Sequence, residues 1–124
     1  MCNILEADVI PNVTLGLGEN TVLTCAIPFP VSAQLLIHGH FIVTSGASGG
    51  QAIMRVRQGV PNTGPILYME TVTFPANTWL SVPFGTVDTS DWLRVGGGVY
   101  TLSIAATWVG SLIRGGLFQC SVLD

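Results

Sequence analysis

The stretch that decides the fold is residues 35–44, which read Leu-Leu-Ile-His-Gly-His-Phe-Ile-Val-Thr. Two sets of side chains alternate along it: Leu35, Ile37, Gly39, Phe41 and Val43 on one side, and Leu36, His38, His40, Ile42 and Thr44 on the other. A period of two is typical of a β-strand, because successive side chains point to opposite faces of the sheet. The pattern therefore predicts a strand with one buried face.

The same period recurs along the chain. It predicts that Ala52, Met54 and Val56 face inward while Arg55 and Arg57 face outward. Runs rich in glycine, proline and serine separate the alternating stretches and leave no room for a long helix. The predicted strands are 20–27, 34–45, 51–59, 66–74, 78–84, 86–89, 99–108 and 116–123. Eight short strands at this spacing favour an all-β, antiparallel jelly-roll sandwich.

The domain organisation is simple, since we find neither a linker nor an internal repeat. Residues 16–124 are predicted to form one jelly-roll domain. Residues 1–15 are less periodic, and we expect an N-terminal arm, a first edge segment or a disordered tail.

Charge is scarce in this sequence. Only 9% of the 124 residues are charged, against roughly 25% in an average soluble domain. The chain has no lysine, and its four arginines are outnumbered by seven acids. Nucleic-acid binding requires a basic stripe, so it is not expected. Because a solvated monomer normally covers itself with charge, we predict that partner proteins cover much of the surface.

The sequence also bears on compartment. It has no apolar run of the roughly 18 residues that would span a bilayer, so no membrane partner is expected. The first residues lack the charged and apolar regions of a signal peptide, which predicts a cytosolic product. Three cysteines without CxxC spacing predict neither a disulfide framework nor a zinc site. Cys25 and Cys120 each lie on an apolar strand face, and whether they are bonded stays open.

One segment formally fits the hydrolase pattern G-x-S-x-G, namely Gly46-Ala47-Ser48-Gly49-Gly50. That motif requires a strand-to-helix turn, with the acid and then the histidine after the serine. Here a predicted strand follows, and His38 and His40 precede Ser48. We therefore interpret the segment as a flexible hairpin and predict no catalytic residues and no enzyme activity.

His38 and His40 share a strand face. Two ligands are too few for a closed metal site, so we assign them to a subunit interface and predict no metal or cofactor.

Arg55 and Arg57 also share a face and are expected to pair with acids across a strand or on another subunit, or to be solvated. Tryptophans 79, 92 and 108 are assigned to core or interface rather than to a sugar platform. The candidate interface residues are His38, His40, Arg55, Arg57 and Trp92.

The order of the segments carries a resemblance. Its elements are Asn12-Val13-Thr14-Leu15, strand 20–27, Leu36-Ile37-His38-Gly39-His40, Met54-Arg55-Val56-Arg57-Gln58-Gly59, Thr63-Gly64 and Tyr100-Thr101-Leu102. Together they resemble small virion proteins of tailed bacteriophages, whose jelly roll is similar to the tumour-necrosis-factor fold. The resemblance covers roughly residues 12–123 and names no catalytic residues. It implies a head decoration protein, a head fibre or a minor tail component, commonly a trimer.

The sequence thus predicts a phage capsid decoration (cement) protein. We expect it to form homotrimers, to bind the major capsid protein or another virion protein, and to reside in virions assembled in the host cytoplasm. The alternative is a tail- or fibre-associated module that binds host-surface carbohydrate, which requires an exposed tryptophan beside polar groups. A more distant alternative is an esterase, which requires Ser48, a histidine and an acid to converge.

Overall fold

The computed structural model describes residues 2–27, 34–44, 50–59, 63–89, 98–106 and 111–123, with backbone only for residues 2–5 and 123. These ranges contain nine β-strands: β1 (Cys2–Ile10), β2 (Val13–Thr14), β3 (Gly18–Ile27), β4 (Gln34–Thr44), β5 (Gly50–Gln58), β6 (Ile66–Phe74), β7 (Leu80–Asp88), β8 (Gly98–Ala106) and β9 (Leu112–Leu123). No helix in them is long and apolar enough to cross a membrane.

The strands form two antiparallel sheets. The first sheet has the order β1-β9-β4-β7, with β2 also paired to β9, and the second has the order β3-β8-β5-β6. Lettered B to I along the chain, the eight long strands give sheets B-I-D-G and C-H-E-F. This is the strand order of a jelly roll, so the predicted fold class is confirmed.

The core lies between the inner faces of the two sheets. On β4 the side chains of Leu35, Ile37, Phe41 and Val43 are buried, and on β5 those of Ala52, Met54 and Val56 are buried. The alternation predicted for both strands is therefore confirmed. The first sheet also places three phenylalanines in contact, since the ring centroids of Phe84 lie 6.0 Å from Phe41 and 5.8 Å from Phe118.

Gly39 interrupts the apolar series of β4 for a steric reason. A Cβ atom at this position would overlap the carbonyl oxygen of Leu117 on β9 and would lie 2.9 Å from the Phe84 ring. The glycine therefore lets β4 pass close to β9 and leaves room for the aromatic cluster.

One strand prediction was wrong. Residues 80–88 form one strand, β7, which continues through Pro83, whereas the predicted strands 78–84 and 86–89 leave a break at residue 85. An edge strand tolerates the proline, because it lacks a neighbour on one side, and β7 is such an edge. Strand β1 lies in the segment for which we expected an N-terminal arm, a first edge segment or a disordered tail, and its alternation is inverted.

In β1 the register with β9 shows the inversion. Asp8 lies opposite the buried Phe118, on the inner face, whereas Val9 lies opposite Leu117 on the outer face and is 76% exposed. Charged residues that point inward on an edge strand oppose edge-to-edge pairing with other chains. Residues 2–10 are thus the first edge strand of the jelly roll.

Candidate functional site

The outer surface of the first sheet, which we call the β4 face, contains the two histidines. Residues paired in register share a face, which gives its described members as Ala7 and Val9 on β1, Leu36, His38, His40 and Ile42 on β4, Ser81, Pro83, Gly85 and Val87 on β7, and Arg114, Leu117, Gln119 and Ser121 on β9. Of these described side chains, only Arg114 at one end is an arginine, lysine or acid. The rest of the face is uncharged apart from the histidines.

The β4 face exposes aliphatic surface. Val9 is 76% and Val87 42% exposed, and Leu36, Ile42 and Leu117 are only half-buried. Val9 and Val87 lie on the two edge strands of the sheet, so aliphatic surface is in contact with water at both edges of the face, which is unfavourable. The face therefore has the composition of a protein–protein contact.

His38 and His40 both lie on this face, as their spacing predicts. His38 is half-buried, with its Nε2 atom 3.5 Å from the hydroxyl of Ser121, and His40 is exposed. Within the described residues, no group of three or more histidines, cysteines or acids is placed to hold a metal ion. The structure thus gives the pair a shared face, and its role at an interface stays a prediction.

Arg55 and Arg57 lie on the outer face of the second sheet and bind one acid of the same chain. Glu19 on β3 accepts hydrogen bonds from Arg55 Nη1 at 2.9 Å, from Arg57 Nε at 2.8 Å and from Arg57 Nη2 at 2.8 Å. The Ser103 hydroxyl on the intervening strand β8 donates to the same carboxylate at 2.6 Å. The arginines therefore face outward as predicted, but they form an intramolecular network that we call the Glu19 cluster.

The Glu19 cluster is largely withdrawn from water. The side chains of Glu19, Arg55 and Arg57 are 12%, 21% and 10% exposed. The hydrogen bonds from Arg57 lower the pKa of Glu19 from 4.5 to about 2, against the opposing effect of burial, with Ser103 and the arginine charges adding to the lowering. Hydrogen bonding to Glu19 also raises the pKa of Arg57. The three side chains therefore stay ionised. Glu19 balances the charge of one arginine, so the cluster carries one net positive charge.

Arg57 also fixes a loop. Its Nη1 atom donates to the carbonyl of Gly64, between β5 and β6, at 2.6 Å. Next to it, the Thr101 hydroxyl donates to the Gly59 carbonyl at 2.9 Å. The cluster therefore ties three strands and a loop together, which indicates a structural role.

A second polar group is buried between the sheets. Asp88 on β7 accepts hydrogen bonds from the Tyr100 hydroxyl at 2.7 Å and from the Gln58 amide at 3.0 Å, and all three residues are buried. Burial, followed by the bond to Asp88, raises the pKa of Tyr100. Because Asp88 belongs to the first sheet and its partners to the second, the group links the two layers.

Cys25 on β3 and Cys120 on β9 are both buried, and no disulfide joins them in this structure. Their predicted places on apolar strand faces are confirmed. A hydrogen bond with Cys120, together with burial, raises the pKa of Cys25, so the thiol is protonated and unreactive at neutral pH.

One tryptophan lies in a surface cleft. Trp79, 44% exposed, lines a cleft of about 240 Å³ with Arg114, Leu112, Ile113 and the segment 12–14. The Arg114 guanidinium carbon lies 5.3 Å from the centroid of the Trp79 ring. Sequence reasoning assigned this tryptophan to core or interface and missed the cleft, because β2 had not been predicted. We call this feature the Trp79 cleft.

Several predicted residues cannot be placed. Trp92 and Ser48 lie outside the described residues, as does Trp108. The assignment of Trp92 to an interface therefore stays a prediction. The same holds for the hairpin interpretation of the segment around Ser48 and for its catalytic alternative.

Among known proteins, no family model and no curated sequence matches this chain. Solved structures do. The fold is similar to the VP2 subviral particle of infectious bursal disease virus, with a TM-score of 0.65, 13% identity, 98% of this chain covered and 32% of that chain covered. The Gt strain of that virus gives the same TM-score and identity, with coverages of 94% and 33%. The chain thus spans about a third of these viral chains.

A Bacillus protein of similar size is also alike. The subunit of endospore appendages, described as disulfide-linked pili, has a TM-score of 0.51 and 13% identity, with 100% of this chain and 92% of that chain covered. At such low identities these likenesses show the fold alone. This chain has the jelly-roll fold found in viral capsid proteins.

Proposed function

We propose that this protein is a non-catalytic structural component of a virion, in which jelly-roll domains bind one another through the β4 face. The observation that carries the proposal is the composition of that face, which exposes Val9 and Val87 and contains no described acid. Its fold supports the proposal, since similar jelly rolls occur in VP2 of infectious bursal disease virus.

In its finer form, the proposal is a capsid decoration (cement) protein of a tailed bacteriophage, acting as a homotrimer on the major capsid protein. The resemblance to small phage virion proteins supports this form. A protein that binds only the assembled shell stabilises it by mass action, by about 2.7 kcal/mol per site at a concentration a hundred times Kd. Copies assembled in the host cytoplasm would remain with the particle.

The test is self-association. Sedimentation of the purified chain at micromolar concentration should give an oligomer, and Val9→Asp should give a monomer, because it places a charge in the contact. The matched control is Met69→Asp, since Met69 is 58% exposed and lies on β6, the edge strand of the second sheet. A monomeric parent chain, or equal effects of both variants, would reject the β4 face as the contact. Adding the chain to undecorated capsids should raise their melting temperature.

A second candidate function is supported by one observation. The alternative of a carbohydrate-binding tail or fibre module requires an exposed tryptophan beside polar groups, and Trp79 beside Arg114 and Asn12 meets that requirement. Binding of any sugar that is lost in Trp79→Ala, with the oligomer intact, would favour this function.

A further inference from the structure

We infer that the Trp79 cleft binds a pyranose ring that bears a carboxylate, the chemistry of a uronic acid in an acidic polysaccharide. The inference deepens the carbohydrate-binding candidate, and the cleft adjoins the β4 face, because Arg114 at one end of that face also lines the cleft. The inference rests on an accessible aromatic ring, an unneutralised cation and a small set of free donors in one cleft.

The first element is the ring. Trp79 keeps 44% of its surface exposed although Arg114 lies against it, so apolar ring surface remains accessible. An indole offers a flat apolar surface and one N–H donor, and the aliphatic face of a pyranose is flat and apolar as well. Trp79 is therefore suited to stack against a sugar ring.

The second element is the charge. Both ion pairs formed within the described residues involve Glu19 on the other sheet, and Arg114 has only its contact with Trp79. A guanidinium binds a carboxylate through two parallel hydrogen bonds, and stacking on an aromatic ring orients its plane. The guanidinium of Arg114, which no described acid neutralises, is thus suited to bind an anion next to the ring of Trp79.

The third element is the set of donors. Asn12 uses its side-chain oxygen to accept the amide of Gly115 at 2.9 Å, and no described residue bonds its amide nitrogen. The exposed Thr14 hydroxyl likewise has no bond within the described chain. Sugar hydroxyls and carboxylate oxygens both accept from such donors.

The cleft is held by backbone pairing. Val13 and Thr14 pair with Ile113 and Leu112, and the amide of Leu15 donates to the Ser111 carbonyl at 2.8 Å. The volume of about 240 Å³ is below the roughly 300–1,000 Å³ of pockets for drug-sized ligands. The cleft therefore fits a single ring, and an oligomer would add avidity through repeated weak sites.

The experiment is an NMR titration of the full chain with glucuronate, glucose and acetate. The indole ¹⁵N–¹H signal of Trp79, assigned by its loss in Trp79→Phe, should shift with glucuronate. Glucuronate should bind at least about tenfold more tightly than glucose, which is the effect of one charge-assisted hydrogen bond. Acetate should bind more weakly than glucuronate, because it has no ring to stack.

Variants separate the contributions. Arg114→Gln should reduce glucuronate binding to the level of glucose, whereas Trp79→Ala should abolish binding of both. Met69→Ala, on the other sheet, is the matched control and should change neither. Thermal melting of each variant shows that the fold is retained.

Three outcomes would overturn the inference: no shift of the Trp79 signal, equal affinity for glucuronate and glucose, or equal affinity for glucuronate and acetate. The last would indicate a plain anion site. Sedimentation of Trp79→Ala tests the proposed function separately, since Trp79 is not part of the β4 face and this variant should keep the parent oligomeric state.

Discussion

The two outer faces of this jelly roll treat charge in opposite ways. On the second sheet, Glu19 accepts hydrogen bonds from both Arg55 and Arg57 within one chain. On the first sheet, the β4 face has no described acid and exposes Val9 and Val87 instead. Three of the few charges of the chain are therefore used to fasten one face, and the other face has Arg114 as the one arginine, lysine or acid among its described members.

This difference indicates how a charge-poor domain divides its surface. The Glu19 cluster holds its own part of the second face together with bonds that need no partner molecule, while Ile53 and Met69 of the same face stay exposed. The β4 face has no comparable internal solution, and burying its aliphatic side chains would contribute about 25 cal/mol for each Å² removed from water. The low charge content of the whole chain is thus an average over two outer faces that differ in their charged residues.

The largest effect is expected from removing the centre of the Glu19 cluster. Glu19→Ala leaves Arg55 and Arg57 without their acid while both are largely buried. Breaking a buried ion pair from one side costs about 3–5 kcal/mol, because the remaining charge is uncompensated. Urea unfolding should show a loss of this size.

Glu70→Ala is the control for that experiment. Glu70 accepts one bond from the Tyr68 hydroxyl at an exposed position. Its removal should change the free energy of unfolding by no more than about 0.5 kcal/mol. Equal losses in the two variants would show that the Glu19 cluster is not a stabilising network.

Lowering the pH should reduce the stability that the Glu19 cluster contributes to the fold. The pKa of Glu19 is lowered from 4.5 to about 2 in the folded protein, so the unfolded chain binds the proton more tightly. The resulting stability is fully present above about pH 4.5 and is lost as the pH falls towards 2. It amounts to about 3 kcal/mol, since a tenfold change in proton affinity corresponds to about 1.4 kcal/mol.

The measurement is urea unfolding of the parent and of Glu19→Gln across this range. The difference between the two should shrink as the pH falls, because the glutamine is already neutral. A difference that is constant with pH would mean that the Glu19 pKa is not lowered.

The sequence predicted the architecture better than the contacts. Alternation on β4 and β5 predicted which side chains are buried, because Leu35, Ile37, Phe41 and Val43 on β4 and Ala52, Met54 and Val56 on β5 are apolar. The bond from Glu19 to Arg57 joins residues 38 positions apart, and its formation depends on β8 lying between β3 and β5. Periodicity contains no information on strand order, so the acid that binds the arginines was not identifiable.

The Trp79 cleft was missed for a related reason. Strand β2 has two residues, too short to produce a periodic pattern, yet its pairing with β9 forms one wall. The inverted alternation of β1 also concealed Val9, which turned out to be the most exposed of the large aliphatic side chains described. A periodic pattern predicts the common arrangement of a strand, and both β1 and β2 depart from that arrangement.

The two arginines of the Glu19 cluster should differ from each other. Arg57 makes two bonds to Glu19 and one to Gly64, whereas Arg55 makes one bond and leaves its buried Nε without a partner. Arg57→Leu should therefore cost about 2–3 kcal/mol, and Arg55→Leu about 0–1 kcal/mol, since the loss of its bond is offset by the removal of an unsatisfied donor. Equal costs, measured by urea unfolding, would contradict the asymmetric geometry.

The smallest effect is expected on the β4 face and concerns association rather than folding. The described part of this face contains no acid, so a full positive charge introduced at the exposed position of His40 would have no described counter-charge. If His40 lies in the contact, His40→Lys should raise the dissociation constant of the oligomer by about tenfold, or about 1.4 kcal/mol. Sedimentation checks this, and the neutral variant His40→Gln should retain the oligomer. Unchanged association in His40→Lys would place this histidine outside the contact and confine the interface to the aliphatic edge around Val9.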